Sequence, residues 1–335
     1  MIRSIGSVEH MVVAQRFGAG HRVLVTGGAG FVPSHLIDAL IARSCTVVAV
    51  DNFVTGSKEN VTHLIDNPLF ALVEADVADG LPTHHPALAD RFDAILHMAS
   101  PASPKDFTTL PIEILRVGSI ATLHLLDRAV NDGARFLMAS TSEAYGDPLV
   151  HPQVETYWGN VNPVGIRSVY DEAKRFSEAS TMAYHRYRGL DSAIVRIFNT
   201  YGPRMRPDDG RAIPTFIAQA LRGEPITVHG NGEQTRSICY VDDLVRGILL
   251  LLDSTEAGPI NCGDEHEMSM RDLAETIVRL TGSSSTVTFT SRTADDPEMR
   301  RPDLTLARTR LGFEPVTPFE DGLRRTIDDF RRRAI

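Results

Sequence analysis

Residues 23–32, which read VLVTGGAGFV, decide the fold of this chain. A short apolar and β-branched run predicts a strand, and the glycines that follow predict a turn into a helix. Glycine at such a turn lets the backbone approach a pyrophosphate at the amino end of the helix. A tight turn that binds nothing is the alternative. The positions predicted to contact a nucleotide are Gly27, Gly30, Phe31 and Val32.

Asp51 ends the next apolar strand, 21 residues after Gly30. Its carboxylate can accept hydrogen bonds from both hydroxyls of a ribose and would repel a 2′-phosphate, so the sequence favours NAD over NADP as the cofactor. Pro33 stands where this motif commonly has a third small residue. Because proline fits the first turn of a helix, the prediction of a dinucleotide site is kept.

The first 200 residues alternate between predicted strands and helices, which indicates a parallel sheet with helices on both faces. The predicted fold class is α/β, a doubly wound parallel-sheet Rossmann domain over residues 21–200. Residues 201–335 contain shorter elements, and we expect a smaller carboxyl-terminal α/β substrate lobe with chain exchange between the lobes. Residues 1–20 are interpreted as an N-terminal extension. The predicted strands of the sheet are 22–26, 46–50, 70–74, 94–98, 135–140 and 192–197.

Composition narrows the classes of partner. Lys and Arg number 34 against 43 Asp and Glu, a formal net charge of -9, which disfavours nucleic acid and anionic membranes. No apolar run approaches the roughly 18 residues of a spanning helix. The cysteines and histidines show neither a disulfide framework nor metal-ligand spacing, so we expect no metal and a reducing, cytoplasmic location. The three cysteines are Cys45, Cys239 and Cys262.

Tyr170 and Lys174 are spaced four residues apart in a segment with helical periodicity. Positions i and i+4 share one face of a helix, so the ammonium group can lie beside the phenol. An unperturbed phenol titrates near about 10, and a neighbouring cation favours its charged form. Tyr170 is therefore predicted to act as a base near neutral pH. Taken alone, the pair is weak evidence, because such spacings also arise by chance.

Further strings resemble the extended short-chain dehydrogenase/reductase family (NAD-dependent epimerase/dehydratase), closest to its UDP-glucuronate decarboxylases. The resemblance spans roughly residues 22–331. Two departures are Ala173, where these decarboxylases commonly have glycine, and Gly118, where many members carry a polar residue. The strings that carry the resemblance are DNF at 51–53, ASPASP at 99–104, TSE at 141–143, YDE at 170–172, RIFNTYGPRM at 196–205, QTRS at 234–237 and RRPD at 300–303.

The resemblance implies a tightly held NAD that is reduced and reoxidised within each turnover. Lys174 would hold the nicotinamide ribose and depress the pKa of Tyr170. Positions that match cofactor contacts of the family are Asp51, Asn52, Phe53, Thr55, Gly56, Asp76, Val77, Ala99, Thr200, Arg206 and Arg211, together with Tyr170 and Lys174.

The resemblance also implies a reaction on a UDP-sugar. Tyr170 would take the proton of the sugar 4-hydroxyl, and Thr141 would hydrogen-bond the same oxygen. The resulting 4-keto group makes the C5 carboxylate part of a β-keto acid, whose decarboxylation and reduction would give UDP-xylose. Positions that match substrate contacts are Arg116, Thr141, Tyr184, Asn199, Arg236 and Arg300, and the family often forms homodimers through helices that match 112–131 and 171–187 here.

Glu143 is the residue that distinguishes a decarboxylase from a 4-epimerase in this family. Decarboxylases of the family place Glu at this position together with an Arg that matches Arg236. A carboxylate there would disfavour the charged substrate carboxylate and could help to protonate C5. A turn-capping role for Glu143 and a pyrophosphate-binding role for Arg236 are the alternatives. A 4-epimerase, such as one converting UDP-glucuronate to UDP-galacturonate, is the rival enzyme, and a non-catalytic dinucleotide sensor should have lost Tyr170 or Lys174.

Overall fold

A computed structural model describes residues 13–82, 84–291 and 299–333. The first twelve residues of the expected extension 1–20 lie outside these ranges. The following residues pack against the fold, because Phe17 is buried and the backbone N–H groups of Arg16 and Phe17 donate to Oδ1 of Asp253 at 3.0 and 3.3 Å. The described end of the extension is thus anchored to the folded chain.

A seven-stranded, all-parallel sheet forms the centre of the molecule, which confirms the predicted fold class. Its order is β3-β2-β1-β4-β5-β6-β11, so the chain winds outward in both directions from β1 and β4. The strands are β1 Arg22–Thr26, β2 Thr46–Asp51, β3 Phe70–Glu74, β4 Ala94–His97, β5 Arg135–Thr141, β6 Ser192–Ile197, β7 Thr200–Tyr201, β8 Ile226–His229, β9 Thr235–Ser237, β10 Cys239–Tyr240, β11 Pro259–Cys262, β12 Glu267–Ser269, β13 Val287–Thr290 and β14 Met299–Arg300.

Helices cover both faces of the sheet. In β1, Val23 and Val25 pack into one hydrophobic layer and Leu24 into the other, as a strand buried on both faces requires. The helices are α1 Phe31–Ala42, α2 Pro86–Ala89, α3 Asp106–Thr109, α4 Pro111–Arg116, α5 Thr122–Asp132, α6 Ser168–Arg188, α7 Ala212–Arg222, α8 Val241–Asp253, α9 Met270–Thr281 and α10 Phe319–Arg332.

One predicted helix differs from expectation. The segment 112–131 was expected as a continuous helix, but the π-helical turn Val117–Ala121 separates α4 from α5. At this turn Gly118 packs against Ala173 of α6 so closely that a Cβ built on Gly118 would lie 2.6 Å from the Ala173 Cβ. The close approach of this segment to α6 is the physical reason for the π-helical turn.

Beyond β6 the chain forms smaller sheets, which pair β7 with β10, β8 with β13, and β9 with β12 and β14. The strand β11 returns to the central sheet, where it pairs with β6. All three cysteines are buried as free thiols. No helix in the described parts of the chain is long and apolar enough to cross a membrane.

Candidate active site

A cavity of about 580 Å³ lies at the carboxyl ends of the central strands, near the point where the strand order reverses between β1 and β4. Doubly wound sheets bind their ligands at this edge. The wall is built from the turn after β1, the end of β5, α6, and the segments that follow β4 and β7. The predicted site residues that line it are Phe31, Val32, Thr55, Thr141, Glu143, Tyr170, Lys174, Asn199, Thr200, Arg206, Arg211, Arg236 and Arg300.

A smaller cleft of about 80 Å³ lies beside the turns that follow β1, β2 and β3. Asn52 Nδ2 donates to Asp76 Oδ2 at 3.1 Å, and the Ala78 N–H donates to Asp76 Oδ1 at 2.8 Å, so this wall is held in place. Thr55 borders both the cleft and the large cavity. The predicted cofactor residues that line the cleft are Gly27, Asp51, Asn52, Thr55, Asp76, Val77 and Ala99.

The turn around Gly27 has the shape that a dinucleotide needs. Gly27 has a φ of +68°, and a Cβ on it would lie 2.7 Å from the Ala99 Cα. Gly56 leaves the Asp51 carboxylate uncovered, because a Cβ there would lie 2.9 Å from both carboxylate oxygens. The residues present therefore fit NAD: two glycines keep open the space in front of an acidic group at the end of β2.

Asp51 is oriented by two backbone donors. Its Oδ2 accepts from the Ala29 N–H at 2.9 Å and its Oδ1 from the Phe53 N–H at 2.8 Å. Burial raises the pKa of Asp51, whereas these two hydrogen bonds lower it. Each oxygen keeps a second lone pair that can accept a hydrogen bond from a ribose hydroxyl.

Tyr170 and Lys174 lie together on α6, as their spacing predicts. The Lys174 Nζ is 5.7 Å from the centroid of the Tyr170 ring and donates to the Ala139 carbonyl at 2.9 Å. Both side chains are buried against the cavity. The Phe107 ring stacks on the Tyr170 ring, with centroids 5.0 Å apart and planes inclined by 19°.

In the protein without ligands, the pKa of Tyr170 is raised and not lowered as the spacing of Tyr170 and Lys174 predicts. Burial raises the pKa of Tyr170 to about 12; the hydrogen bond with Thr141 lowers it, and Glu143 raises it further. Burial also lowers the pKa of Lys174 to about 8. A neighbouring cation favours the phenolate, but desolvation opposes the charged forms of both side chains.

Glu143 lies on the turn Ser142–Tyr145 directly after β5, between two guanidinium groups. Its Oε1 pairs with Arg300 Nη1, and its Oε2 accepts from Arg167 Nη2 at 2.6 Å. Burial favours the protonated form, but Arg300 and Arg167 outweigh burial and lower the pKa of Glu143 to about 2. The carboxylate is therefore an anion at neutral pH, so the structure does not support its expected role as a proton donor to C5.

Arg300, which pairs with Glu143, lies beside Arg236, the arginine that the resemblance associates with Glu143. The two arginines are Cα partners in the parallel pair β9–β14, so they occupy neighbouring positions at the same wall. Arg300 is 2% exposed and donates from Nη2 to the Gly146 carbonyl at 3.0 Å. Arg236 lines the cavity and donates from Nη1 to the Thr235 carbonyl at 2.8 Å. The substrate roles of both remain predictions.

Two predicted cofactor arginines are already paired with carboxylates. Arg206 Nη2 lies 3.1 and 3.0 Å from the two carboxylate oxygens of Asp106. Arg211 makes a similar pair with Asp209, in which Nη2 lies 2.8 Å from Oδ2. Both arginines line the cavity, but their charges are largely neutralised within the protein.

Two predicted substrate residues do not line the cavity. Arg116 forms a surface ion pair with Asp79 at 2.7 Å. The Tyr184 hydroxyl donates to Asp127 Oδ1 at 2.6 Å, farther along α6 than the catalytic pair. The sugar-nucleotide contacts of Arg116 and Tyr184 stay predictions, and in the protein itself their side chains contact surface carboxylates.

Three residues of the site were given no role by sequence reasoning. Arg167, which pairs with Glu143, precedes Tyr170 by three positions, and this helical spacing was the available signal. Phe107 and His97 gave no local signal. His97 is buried between Thr26 and Thr122, and burial, with Lys174 as the second cause, lowers the pKa of His97 to about 3. The His97 imidazole is therefore neutral, and the charge of Lys174 acts on it.

This chain is similar in sequence and in fold to known proteins. A family model described as "NAD dependent epimerase/dehydratase family" matches residues 23–263. UDP-glucuronic acid decarboxylase 2 of Arabidopsis thaliana is 50% identical over 316 residues, which cover 94% of this chain and 69% of that protein.

Solved structures give the same picture of the fold. UDP-glucose 4-epimerase from Thermotoga maritima, determined with UDP-glucose, superposes with a TM-score of 0.86 at 30% identity and covers 94% of this chain and 100% of its own. UDP-glucuronic acid 4-epimerase from Bacillus cereus, in complex with UDP-glucuronic acid and NAD, gives 0.84 at 27% identity and covers 93% of this chain and 99% of its own.

Proposed function

Because the chain belongs to the NAD dependent epimerase/dehydratase family, we propose that it is an NAD-dependent lyase that converts UDP-glucuronic acid to UDP-xylose and carbon dioxide. The observation that carries this choice of reaction is the Glu143 carboxylate, whose side chain is 15% exposed and lies in the same cavity wall as Tyr170 and Thr141. A negative charge at this point would act on the substrate carboxylate.

The residues that would hold NAD are the turn at Gly27 and Gly30, Asp51 at the ribose, Asp76 and Val77 on the adenine side, and Lys174 at the nicotinamide end. Bound NAD would supply the acceptor for a hydride from C4 of the sugar and the donor for its return. The Ala139 carbonyl accepts a hydrogen bond from Lys174 Nζ and so fixes the position of the ammonium group at that site.

Tyr170 handles the proton of the 4-hydroxyl group. Its phenol oxygen would receive this proton as C4 becomes a ketone, and it would give the proton back when C4 is reduced. Thr141 hydrogen-bonds the phenol and lowers its pKa, which favours the base form. Stacking by Phe107 fixes the orientation of the Tyr170 ring.

Loss of carbon dioxide then follows from the chemistry of a β-keto acid. The C5–carboxylate bond breaks, its electron pair moves towards the 4-keto oxygen, and C5 later takes up a proton from solvent. Glu143 remains an anion paired with Arg300 and Arg167, and a substrate carboxylate placed nearer to Glu143 than to these guanidinium groups would be repelled, so decarboxylation would relieve a repulsion. Arg300 and Arg167 keep the Glu143 carboxylate at its position.

An epimerase remains the rival, because the same fold also occurs in a 4-epimerase that was crystallised with UDP-glucuronic acid. Tyr170, Lys174 and NAD serve both reactions, so only the fate of the substrate carboxylate separates them. In an epimerase the 4-keto intermediate would rotate and be reduced with its carboxylate intact.

The test compares the wild type with Glu143→Gln and Tyr170→Phe on UDP-glucuronic acid. We expect Tyr170→Phe to abolish sugar oxidation, and Glu143→Gln to lower carbon dioxide release by roughly 100-fold or more, the scale of one preorganised charge. Retention of bound NAD, measured after gel filtration, checks that each variant is folded. If Glu143→Gln releases carbon dioxide at the wild-type rate, Glu143 does not support decarboxylation over epimerisation.

We further propose that the chain forms a homodimer through α4, α5 and α6. Apolar side chains are exposed on these helices and on the π-helical turn between α4 and α5, although surface helices usually present polar groups. A second copy of the chain would bury them in a four-helix interface. These side chains are Ile112, Leu115, Ile120, Leu123, Val130 and Phe176.

The division into lobes also stays a proposal. Residues 21–200 would hold the cofactor and residues 201–335 the sugar nucleotide, with β11 as the exchanged strand. The expected reducing, cytoplasmic location rests on the three buried free cysteines and remains a prediction.

A further inference from the structure

Two chain segments face each other across part of the cavity. Segment 100–107 follows β4, and segment 203–211 follows β7; most of their residues line the same cavity as Tyr170 and Lys174. Side chains join the two segments directly. The Ser103 hydroxyl donates to the Asp209 carbonyl, and Lys105 Nζ lies 3.1 Å from Asp208 Oδ2.

The third connection is a buried ion pair. Asp106 is 4% exposed, and both of its carboxylate oxygens lie within 3.1 Å of Arg206 Nη2. The Lys105–Asp208 pair, which joins the same two segments, is more than half exposed on both sides. A buried pair that loses one partner leaves an uncompensated charge, whereas an exposed pair contributes little.

Asp106 is also linked to Tyr170 through its neighbour in the chain. Phe107, the next residue, stacks on the Tyr170 ring. A shift of the Asp106 backbone would therefore move the aromatic ring that covers the catalytic phenol. The ion pair thus links the position of the Phe107 ring on Tyr170 to the segment that carries Arg206 and Arg211.

We propose that the Asp106–Arg206 pair is a latch that closes segments 100–107 and 203–211 over bound NAD and retains the cofactor between turnovers. Arg206 acts here through Asp106 as a positioning residue and not as a direct cofactor ligand. The inference rests on the proposed function insofar as NAD occupies this cavity. Loops that must open for exchange of a bound group commonly set its release rate.

The experiment measures cofactor release without any sugar substrate. Protein loaded with NADH is mixed with a large excess of NAD, and the decay of bound NADH fluorescence gives the dissociation rate. We expect Asp106→Asn to release NADH about 10- to 100-fold faster than the wild type. Asp208→Asn, the matched control that cuts the exposed pair between the same segments, should stay within about twofold.

A double-mutant cycle tests whether the two residues act as one unit. If they do, Asp106→Asn combined with Arg206→Gln releases NADH no faster than the faster single variant. Thermal unfolding without nucleotide identifies any variant that is globally destabilised, and Arg206→Gln supplies the second measurement if Asp106→Asn does not fold.

Two results would overturn the latch. One is release of NADH by Asp106→Asn at the wild-type rate; the other is additive acceleration in the double variant. Failure of the wild type to bind NADH would instead contradict the proposed function, so the two claims fail in distinguishable ways.

Discussion

The carboxylate of Glu143 lies between the guanidinium groups of Arg300 and Arg167, and these contacts determine its charge. The same cluster affects Asp171, the neighbour of Tyr170. Asp171 is 5% exposed, and its Oδ1 has no hydrogen-bond partner among the described residues. Burial, followed by repulsion from Glu143, raises the pKa of Asp171 to about 7, although Arg167 and Arg300 oppose the shift.

Asp171 should therefore make stability depend on pH. Because its pKa is raised in the folded state, its contribution to stability is fully present below about pH 4 and is lost as pH rises through about 7. Asp171→Asn keeps a neutral side chain at every pH. Relative to the wild type, its free energy of unfolding should rise by about 1–3 kcal/mol between pH 5 and pH 8.

Urea unfolding at the two pH values measures this difference. The control is Glu172→Gln, which removes the exposed carboxylate next in the chain and should show no comparable rise. A difference between Asp171→Asn and the wild type that does not change with pH would contradict the assignment.

At the scale of single residues, the sequence predicts what local spacing encodes. Asp51 follows a strand at a set distance from the glycine turn, and Lys174 follows Tyr170 by one helical turn, so both were found. The pairing of Glu143 with Arg300 was not predicted, because Arg300 is 157 positions away in the chain and meets Glu143 only after folding. The predicted direction of the Tyr170 pKa shift was wrong for the same reason, because burial, which raises this pKa, is a property of the tertiary structure.

At the scale of elements, the contact between α6 and the π-helical turn explains two departures from the family pattern. Ala173 adds a methyl group where glycine is common, and Gly118 lacks a side chain at the point that this methyl group contacts. A Cβ on Gly118 would also lie 3.1 Å from the backbone C and O atoms of Ala173. The two residues are therefore complementary in shape across the helix crossing.

Gly118→Ala should destabilise the protein by about 1–3 kcal/mol, because overpacking forces α6 away from the turn. Ala173→Gly alone should cost about 1 kcal/mol, from the entropy of glycine within a helix. The double variant should be more stable than the sum of the single effects, because the 2.6 Å contact between the Cβ atoms is removed. Denaturant unfolding measures the coupling, and strict additivity would show that the two sites are independent.

Strands and helices of the first lobe were predicted well because their patterns are local. β1, β3 and β6 have the expected bounds, since buried parallel strands are continuous apolar runs. α10 and β11 were not predicted. The strand β11 is four residues long, and its place beside β6 depends on the return of the chain from the second lobe. The π-helical turn depends on a contact with α6 that no local pattern records.

At the scale of the whole molecule, the exposed apolar surface on α4, α5 and α6 predicts self-association. Leu123→Glu should shift the protein from dimer to monomer, because a charge buried in an apolar interface is costly. Val316→Glu, which changes an apolar side chain that is 68% exposed outside these helices, is the matched control. Light scattering after gel filtration gives the mass of each. A monomeric wild type, or a dimer unaffected by Leu123→Glu, would contradict the proposed interface.

In the proposed reaction the substrate loses its carboxylate, and the carbon atom of that group can be followed directly. UDP-glucuronic acid labelled with ¹³C at C6 is incubated with the NAD-loaded wild type, and the label is followed by NMR. We predict that the label appears in carbon dioxide and bicarbonate while unlabelled UDP-xylose accumulates. Label that stays in a sugar nucleotide, with conversion to UDP-galacturonic acid, would contradict the account and establish epimerisation.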